Sequence, residues 1–375
     1  MTTEQKAAAT VKSPWKQATL LINGKKVEWG AEPVLLRGQV NDVTVEAPPE
    51  VAKALNLELP QNGGLNIVAS PDFGNWVDPD NRKFEWKIKP DDGKSGLITL
   101  VFYSRDVEEG WYHRSLVISS NLADEVEVKI GGESVPAGGS VFFRGQAKDV
   151  ELIPKSGSPI AGYPIALRRT ATSPLLPTDL SSAPVFDDYQ TTHKWSVTGT
   201  NNKSGIFQLQ LTARGMSTPI NVIANKLLSS NLADEVEVRI GGQSVPAGGS
   251  VFFRGQAKDV ELVPKSGSPI AGYPIALKRT ATSPLLPTDL SSAPVFDAPQ
   301  TTHEWRVTGA NNKSGIFQLQ LTAQGMSTPI NVTANKLLST NLADEAVIKI
   351  DNVEPSNDEV PFLRNARRIL TMEPR

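Results

Sequence analysis

The chain repeats itself at a fixed period. The phrase N-L-A-D-E begins at Asn121, Asn231 and Asn341, which sets a period of 110 residues. Residues 121–230 and 231–340 are identical at 98 of 110 positions. Self-similarity at a fixed period predicts an array of equivalent structural units along the chain. The chain therefore has to fold the same 110-residue unit at least twice.

Two further units frame these copies. Residues 35–43, LLRGQVNDV, parallel residues 142–150, FFRGQAKDV, so the chain begins with a divergent unit. The segment from Asn341 to Arg375 repeats the opening of the unit and begins a fourth. We predict a disordered N-terminal tail at residues 1–14, a divergent first domain at 15–118, near-identical second and third domains at 119–228 and 229–338, and an incomplete fourth repeat at 339–375.

Within each unit the apolar residues recur with a period of two. In residues 125–130, EVEVKI, and residues 204–213, SGIFQLQLTA, apolar and polar side chains alternate as in a half-buried strand. Several differences between the copies fall on the polar side, while the inward Trp195 is unchanged. Turns rich in glycine and proline separate six or seven such strands, and helical spacing occurs only at residues 51–59. The pattern predicts an all-β, two-sheet sandwich for each unit.

Charge and composition exclude several classes of partner. The formal net charge is −2, so there is no basic field to neutralise phosphates, and we predict no nucleic-acid partner. There are no cysteines and hence no disulfides. Apolar runs are too short for a transmembrane segment, and the first residues contain no stretch of signal-peptide length. We therefore expect no transmembrane segment and no signal peptide.

Catalytic motifs do not emerge from the sequence. Neither G-x-S-x-G nor H-E-x-x-H occurs, and each of the first three units holds a single histidine, namely His113, His193 or His303. The run Asp92-Gly93-Lys94-Ser95 lacks the earlier glycine of a phosphate loop, so it predicts a hairpin turn. We predict that the chain is not an enzyme.

The unit size, the single strand-borne tryptophan (Trp195, Trp305) and the in-line copies resemble the bacterial immunoglobulin-like repeats of surface and adhesin-type proteins. The resemblance implies tandem immunoglobulin-like β-sandwich domains in a non-enzymatic structural spacer or adhesin-type rod. It also implies a place at the cell surface or secretion, which without a signal peptide requires a non-classical route. The alternative is a glycan- or protein-binding module that acts by avidity, with recognition in the first domain.

Carboxylates recur at the boundary between one unit and the next. Asp124 and Glu125 have the copies Asp234 and Glu235. Oxygen ligands at a domain boundary suit Ca²⁺, so calcium at the junctions is one prediction. The alternative is the solvated first turn of a strand, the ordinary role of exposed carboxylates.

Residues 171–187, ATSPLLPTDLSSAPVFD, are too apolar for an ordinary solvent-exposed loop and too rich in proline for a central strand. In one interpretation, the leucines of this segment cap the open end of the sandwich. The other has Leu175, Leu176 and Phe186 form a contact surface for a peptide or protein.

The first unit holds five of the seven tryptophans. Trp76 and the pair Trp111-Tyr112 fall on predicted loops or edges, where flat rings stack on sugars or anchor a protein partner. Core or hairpin packing is the alternative for the same rings. The incomplete fourth repeat would also expose a strand edge, so self-association through it is a further prediction.

Overall fold

The computed structural model describes residues 13–355, residue 364 and residues 367–375. Most of the predicted N-terminal tail, residues 1–12, lies outside the described residues. Each of the first three units folds into two sheets that enclose one hydrophobic core. We refer to these units as modules 1, 2 and 3.

Module 1 opens with a 3-10 turn at Pro14–Gln17 and contains ten strands. Its sheets have the orders β2-β1-β4-β8-β6 and β3-β10-β9-β5-β7. The strands are β1 (Thr19–Ile22), β2 (Lys25–Lys26), β3 (Val34–Leu36), β4 (Asn41–Glu46), β5 (Leu55–Gln61), β6 (Ile67–Ser70), β7 (Trp76–Val77), β8 (Lys83–Pro90), β9 (Gly96–Ser104) and β10 (Trp111–Ile118).

Module 2 repeats this arrangement with the sheet orders β12-β11-β14-β18-β16 and β13-β20-β19-β15-β17. A one-turn helix and a 3-10 turn interrupt the strands. The elements are α1 (Leu122–Glu125), β11 (Val126–Ile130), β12 (Glu133–Ser134), β13 (Val141–Phe143), β14 (Ala147–Pro154), β15 (Ile165–Ala171), the 3-10 turn Pro177–Asp179, β16 (Leu180–Ala183), β17 (Tyr189–Gln190), β18 (Lys194–Gly199), β19 (Gly205–Ala213) and β20 (Ile220–Leu228).

Module 3 has the sheet orders β22-β21-β24-β27-β26 and β23-β29-β28-β25. The counterpart of β17 is reduced to an isolated bridge between Ile275 and Gln300, because Pro299 replaces Tyr189 and has no N–H to donate. The elements are α2 (Leu232–Glu235), β21 (Val236–Ile240), β22 (Gln243–Ser244), β23 (Val251–Phe253), β24 (Ala257–Pro264), β25 (Ile275–Ala281), the 3-10 turn Pro287–Asp289, β26 (Leu290–Ala293), β27 (Glu304–Gly309), β28 (Gly315–Ala323) and β29 (Ile330–Leu338).

The strand order of every module is that of an immunoglobulin-like sandwich. One sheet places the first, second, fifth and fourth main strands side by side, as β1, β4, β8 and β6 do. In the other, a short early strand lies parallel to the last: β3 beside β10, with the same pairing in modules 2 and 3. The prediction of tandem immunoglobulin-like β-sandwiches is confirmed.

The cores follow the predicted alternation. Strand β8 alternates exposed and buried positions along its whole length, which puts Phe84, Trp86 and Ile88 inside. Trp195 and Trp305 are likewise fully buried in modules 2 and 3. The helical spacing at residues 51–59 was misleading, because this stretch is a turn followed by strand β5.

The fourth unit is a 3-10 turn at Leu342–Asp344 followed by the hairpin of β30 (Ala346–Ile350) and β31 (Leu370–Pro374). Ile350 pairs with Leu370 as Ile130 pairs with Val150, so the hairpin keeps the register of the complete modules. Its apolar face is exposed at Ile348, Leu370 and Met372. Self-association through this face stays a prediction. None of the described helices has the length and apolar character of a membrane span.

Candidate functional site: the joints between modules

The phrase N-L-A-D-E forms a one-turn helix and not the start of a strand. The side chain of Asn121 accepts a hydrogen bond from the backbone N–H of Ala123, which caps the turn at its N-terminus. The turn shifts the alternation, so that Glu125 points inward and is fully buried. The prediction of a solvated carboxylate is therefore wrong for Glu125 and for its copy Glu235.

Glu235 joins modules 2 and 3 through both oxygens of its carboxylate. Oε1 accepts hydrogen bonds from the backbone N–H of Ser229 at 2.6 Å, from Nη2 of Arg144 at 3.1 Å and from the Ser204 hydroxyl. Oε2 accepts from the Ser268 hydroxyl. Arg144 and Ser204 belong to module 2, and Ser268 belongs to module 3. One buried carboxylate at the start of module 3 thus ties the two modules together.

Arg144 is oriented by more than this one carboxylate. Its Nε donates to the Ser204 hydroxyl at 3.0 Å, and its Nη1 lies 3.9 Å from an oxygen of Asp234. The Arg144 side chain is 15% exposed, so its charge is largely removed from water. A planar guanidinium that contacts two carboxylates and a hydroxyl gives the joint a defined geometry.

The joint between modules 1 and 2 uses the same parts. Glu125 accepts hydrogen bonds from the backbone N–H of Ser119 at 2.7 Å and from the hydroxyls of Ser95 and Ser158. Arg37 takes the place of Arg144, with its Nε 3.8 Å from Glu125. The run Asp92-Gly93-Lys94-Ser95, which resembled a phosphate loop, thus supplies a joint hydroxyl.

The third joint, at Glu345, is built from fewer donors. Arg254, Ser314 and the backbone of Ser339 contact Oε1 as their counterparts do in module 2. The described residues place no counterpart of Ser268 on Oε2, and the Glu345 side chain is 19% exposed.

Apolar contacts surround the polar joint between modules 2 and 3. Leu228 belongs to the core cluster of module 3, and Val141 and Phe143 of module 2 pack against that cluster. A Cβ on Gly325 would lie 2.9 Å from the Phe143 ring, so glycine is required there. Lys226 of module 2 also donates to the carbonyl of Ala271 in module 3 at 2.8 Å.

Calcium at the joints stays a prediction. Protein donors occupy both oxygens of the buried glutamates, whereas Asp124 and Asp234 keep side chains that are 43% and 46% exposed. Within the part of the chain that the structure describes, no group of three or more His, Asp or Glu side chains is placed to hold a metal ion. Any cation would have to recruit water or further ligands around the two aspartates.

The segment 171–187 divides between core and surface. Leu175 and Phe186 are buried in the core of module 2, so the prediction of a contact surface is wrong for them. The guanidinium of Arg169 covers the Phe186 ring at 4.3 Å. Leu176 is 52% exposed and is the one residue of the predicted set that a partner can reach.

The aromatic residues of module 1 are also split between core and surface. Trp111 is only 8% exposed, because it lies between Trp15 and Trp29 with ring centroids 5.5 and 5.8 Å away. The prediction of a surface role is therefore wrong for Trp111. Tyr112 points to the opposite side of strand β10, as alternation requires, and is 63% exposed, while Trp76 is 42% exposed.

Exposed Trp29 is a residue that the sequence reasoning missed. It is 53% exposed and forms the outer layer of the tryptophan stack, although nothing in its local sequence sets it apart from a core residue. The histidines of modules 2 and 3 are buried, with Nε2 of His193 2.6 Å from the carbonyl of Tyr163. They pack inside their modules.

Comparison with known proteins gives likenesses of structure. No family model and no curated protein matches the chain. Invasin, described as a bacterial integrin-binding protein, aligns at 12% identity over 95% of this chain and 67% of its own, with a TM-score of 0.28. The D0-D1 domain of intimin aligns at 9% identity over 56% of this chain and 100% of its own, with a TM-score of 0.23. An endo-fucoidan hydrolase of glycoside hydrolase family 107 aligns at 13% identity over 82% of this chain and 43% of its own, with a TM-score of 0.25.

The fold assignment itself rests on the strand orders described above. The chain is therefore a tandem immunoglobulin-like β-sandwich protein.

Proposed function

We propose that the chain is a non-enzymatic, adhesin-type spacer in which immunoglobulin-like modules are held end to end at fixed angles, and that it acts at the cell surface. The observation that carries the proposal is the buried Glu235 carboxylate, which receives hydrogen bonds from both neighbouring modules. In a freely jointed array this carboxylate would stay in water, because burying a carboxylate costs free energy unless partners hold it. A spacer gains stiffness from it.

Small-angle scattering of the full chain tests the spacer. Three modules of about 30–40 Å each predict a maximum dimension on the order of 100 Å in a stiff rod. We expect this dimension to stay the same when calcium is added and when a chelator is added, because protein donors hold the glutamates. Shortening on chelation, reversed by calcium, would instead assign the joints to a cation bound at Asp124 and Asp234.

A matched pair of variants extends the scattering experiment. Arg144→Ala removes the guanidinium from the joint between two complete modules and should broaden the distribution of interatomic distances. Arg254→Ala removes the equivalent group from the third joint, beyond module 3, and should leave the angle between modules 2 and 3 unchanged. Equal effects of the two variants would contradict a specific role for the joint.

A second function, recognition of a glycan or protein by module 1, is favoured by the exposed rings of Trp76 and Tyr112. Both are large aromatic side chains on a sheet face, where they offer flat apolar surface to a ligand. We expect Trp76→Ala and Tyr112→Ala to reduce binding in a glycan array while the fold, checked by circular dichroism, stays intact. Trp111→Ala is not a suitable test, because Trp111 is a core residue and its loss would disturb the module.

A further inference from the structure

An arginine and a tryptophan form a stacked pair on the outer face of module 1. The guanidinium of Arg105 lies over the Trp76 ring, 4.5 Å from its centroid. Within the described part of the chain, this guanidinium forms no other hydrogen bond or ion pair, and the neighbouring Asp106 is engaged by Lys53. Stacking on an aromatic ring fixes the plane of the guanidinium and leaves its N–H groups free.

Module 2 repeats the arrangement. The guanidinium of Arg214 lies 5.1 Å from the centroid of the Tyr189 ring, and Tyr189 is 39% exposed. Tyr189 pairs with Ala166 on strand β15, as Trp76 pairs with Asn56 on strand β5, so the two aromatic residues are at equivalent positions. The guanidinium of Arg214, like that of Arg105, forms no hydrogen bond or ion pair with a described residue.

Module 3 lacks both members of the pair. Gln324 stands where module 2 has Arg214, and Pro299 stands where it has Tyr189. Modules 2 and 3 differ at only 12 of 110 positions, and two of those differences fall on this one contact. The arginine and the aromatic residue are thus present together in modules 1 and 2 and absent together from module 3.

In module 1 the pair continues into a row of aromatic residues. Trp76 pairs with Asn56, and Asn56 pairs with Tyr103, so the three side chains lie on the same face of the sheet. The hydroxyls of Tyr103 and Tyr112 are 3.5 Å apart. A Cβ on Gly110 would come within 2.8 Å of the Tyr103 ring, so glycine lets these two rings approach each other.

We propose that the Arg105–Trp76 and Arg214–Tyr189 pairs are binding sites for an acidic sugar, and that module 3 lacks this site. The free edge of the guanidinium binds the carboxylate of the sugar through two N–H groups, and the exposed part of the aromatic ring packs against the C–H face of the sugar ring. The unpaired positive charge selects an anionic ligand over a neutral one. This proposal rests on the second function above and names its ligand class; the spacer function does not depend on it.

Titration of the full chain with an oligogalacturonate tetramer tests the proposal, with the fully methyl-esterified tetramer as the neutral probe of the same sugar rings. We expect calorimetry to give two sites per chain for the acid and at least about tenfold weaker binding of the ester, since loss of a charge-assisted contact has this effect. Raising the salt concentration should weaken binding of the acidic tetramer and leave binding of the ester unchanged.

Reciprocal variants take their residues from the chain itself. Arg214→Gln with Tyr189→Pro gives module 2 the residues of module 3 and should reduce the two sites to one. Gln324→Arg with Pro299→Tyr gives module 3 the residues of module 2 and should add a third site. Arg105→Gln should remove the site in module 1, with circular dichroism as the check on folding in each case.

The outcomes separate the acidic-sugar site from the broader recognition function. Equal binding of the acid and the ester, or a number of sites that none of these variants changes, overturns the proposal. If the neutral ester binds and is lost on Trp76→Ala but not on Arg105→Gln, module 1 recognises sugars without the arginine, and only the acidic specificity fails. If neither probe binds, the arginine and aromatic pairs are contacts that stabilise the fold alone.

Discussion

Replacing Glu235 with alanine should lower the free energy that couples modules 2 and 3 by about 3 kcal/mol, the usual cost of removing one member of a buried ion pair. The substitution leaves the hydroxyls of Ser204 and Ser268 and the N–H of Ser229 without their acceptor. Arg144 keeps only its longer contact of 3.9 Å with Asp234 and its bond to Ser204. Denaturant unfolding of the full chain, followed by tryptophan fluorescence, measures the change.

Two variants control this prediction. Glu235→Gln keeps the shape and one acceptor oxygen, so it should cost only about 1 kcal/mol, the value of a neutral hydrogen bond. Glu345→Ala removes the equivalent carboxylate from the third joint, where it takes its partner groups Arg254 and Ser314 from module 3. This variant should therefore leave the free energy that couples modules 2 and 3 unchanged, whatever its effect on module 3 itself. If Glu235→Ala unfolds like the unmodified protein, the carboxylate does not couple the modules.

Module 1 should lose about 3 kcal/mol of stability as the pH falls from 6.5 to 4, because of His113. Burial lowers the pKa of His113 from its ordinary 6.5 to about 4. The ring lies against Trp111, with centroids 4.4 Å apart, and Phe102 is 6.0 Å away. Between these two pH values the unfolded chain binds a proton that the folded module excludes. Stability therefore rises with pH up to 6.5 and is independent of His113 above it.

The chain offers its own control for this effect. His113 pairs with Leu100 as Val222 pairs with Leu209 in module 2, so His113→Val introduces the residue of the repeat. The variant should match or exceed the original stability at pH 7 and should lose less of it at pH 4.5. The difference between variant and original isolates His113, since the carboxylates are common to both. Parallel stability curves would show that His113 binds a proton as readily in the folded module as in the unfolded chain.

The joints between near-identical copies are what the proposed spacer function requires. Several differences between modules 2 and 3 alter charge, whereas the parts of the joint are the same in both: Arg144 and Arg254, Ser204 and Ser314, Glu235 and Glu345. Each module therefore presents the same donors at its C-terminal end and begins from the same carboxylate. Such a unit can be added to the array without a new interface, as in other repeat proteins whose modules contact only their neighbours.

Local alternation of side chains was enough to predict the strands and the cores. The face of a strand on which a side chain lies depends only on the parity of its position, so Trp195 was assigned correctly to the interior. The repeat itself predicted the number of modules and their equivalence. These features follow from short segments of chain and need no knowledge of neighbouring segments.

Burial across a joint or over a sheet edge is a property of the tertiary structure. Glu125 follows a sequence typical of a solvated strand end, yet hydroxyls from Ser95 and Ser158, 30 and 33 residues away along the chain, remove it from water. Trp111 and Tyr112 are adjacent in sequence, but only the stack with Trp15 and Trp29 decides which one a ligand can reach. Alternation assigns a face to each residue, whereas contact between distant segments determines whether that face meets water, a neighbouring module or a ligand.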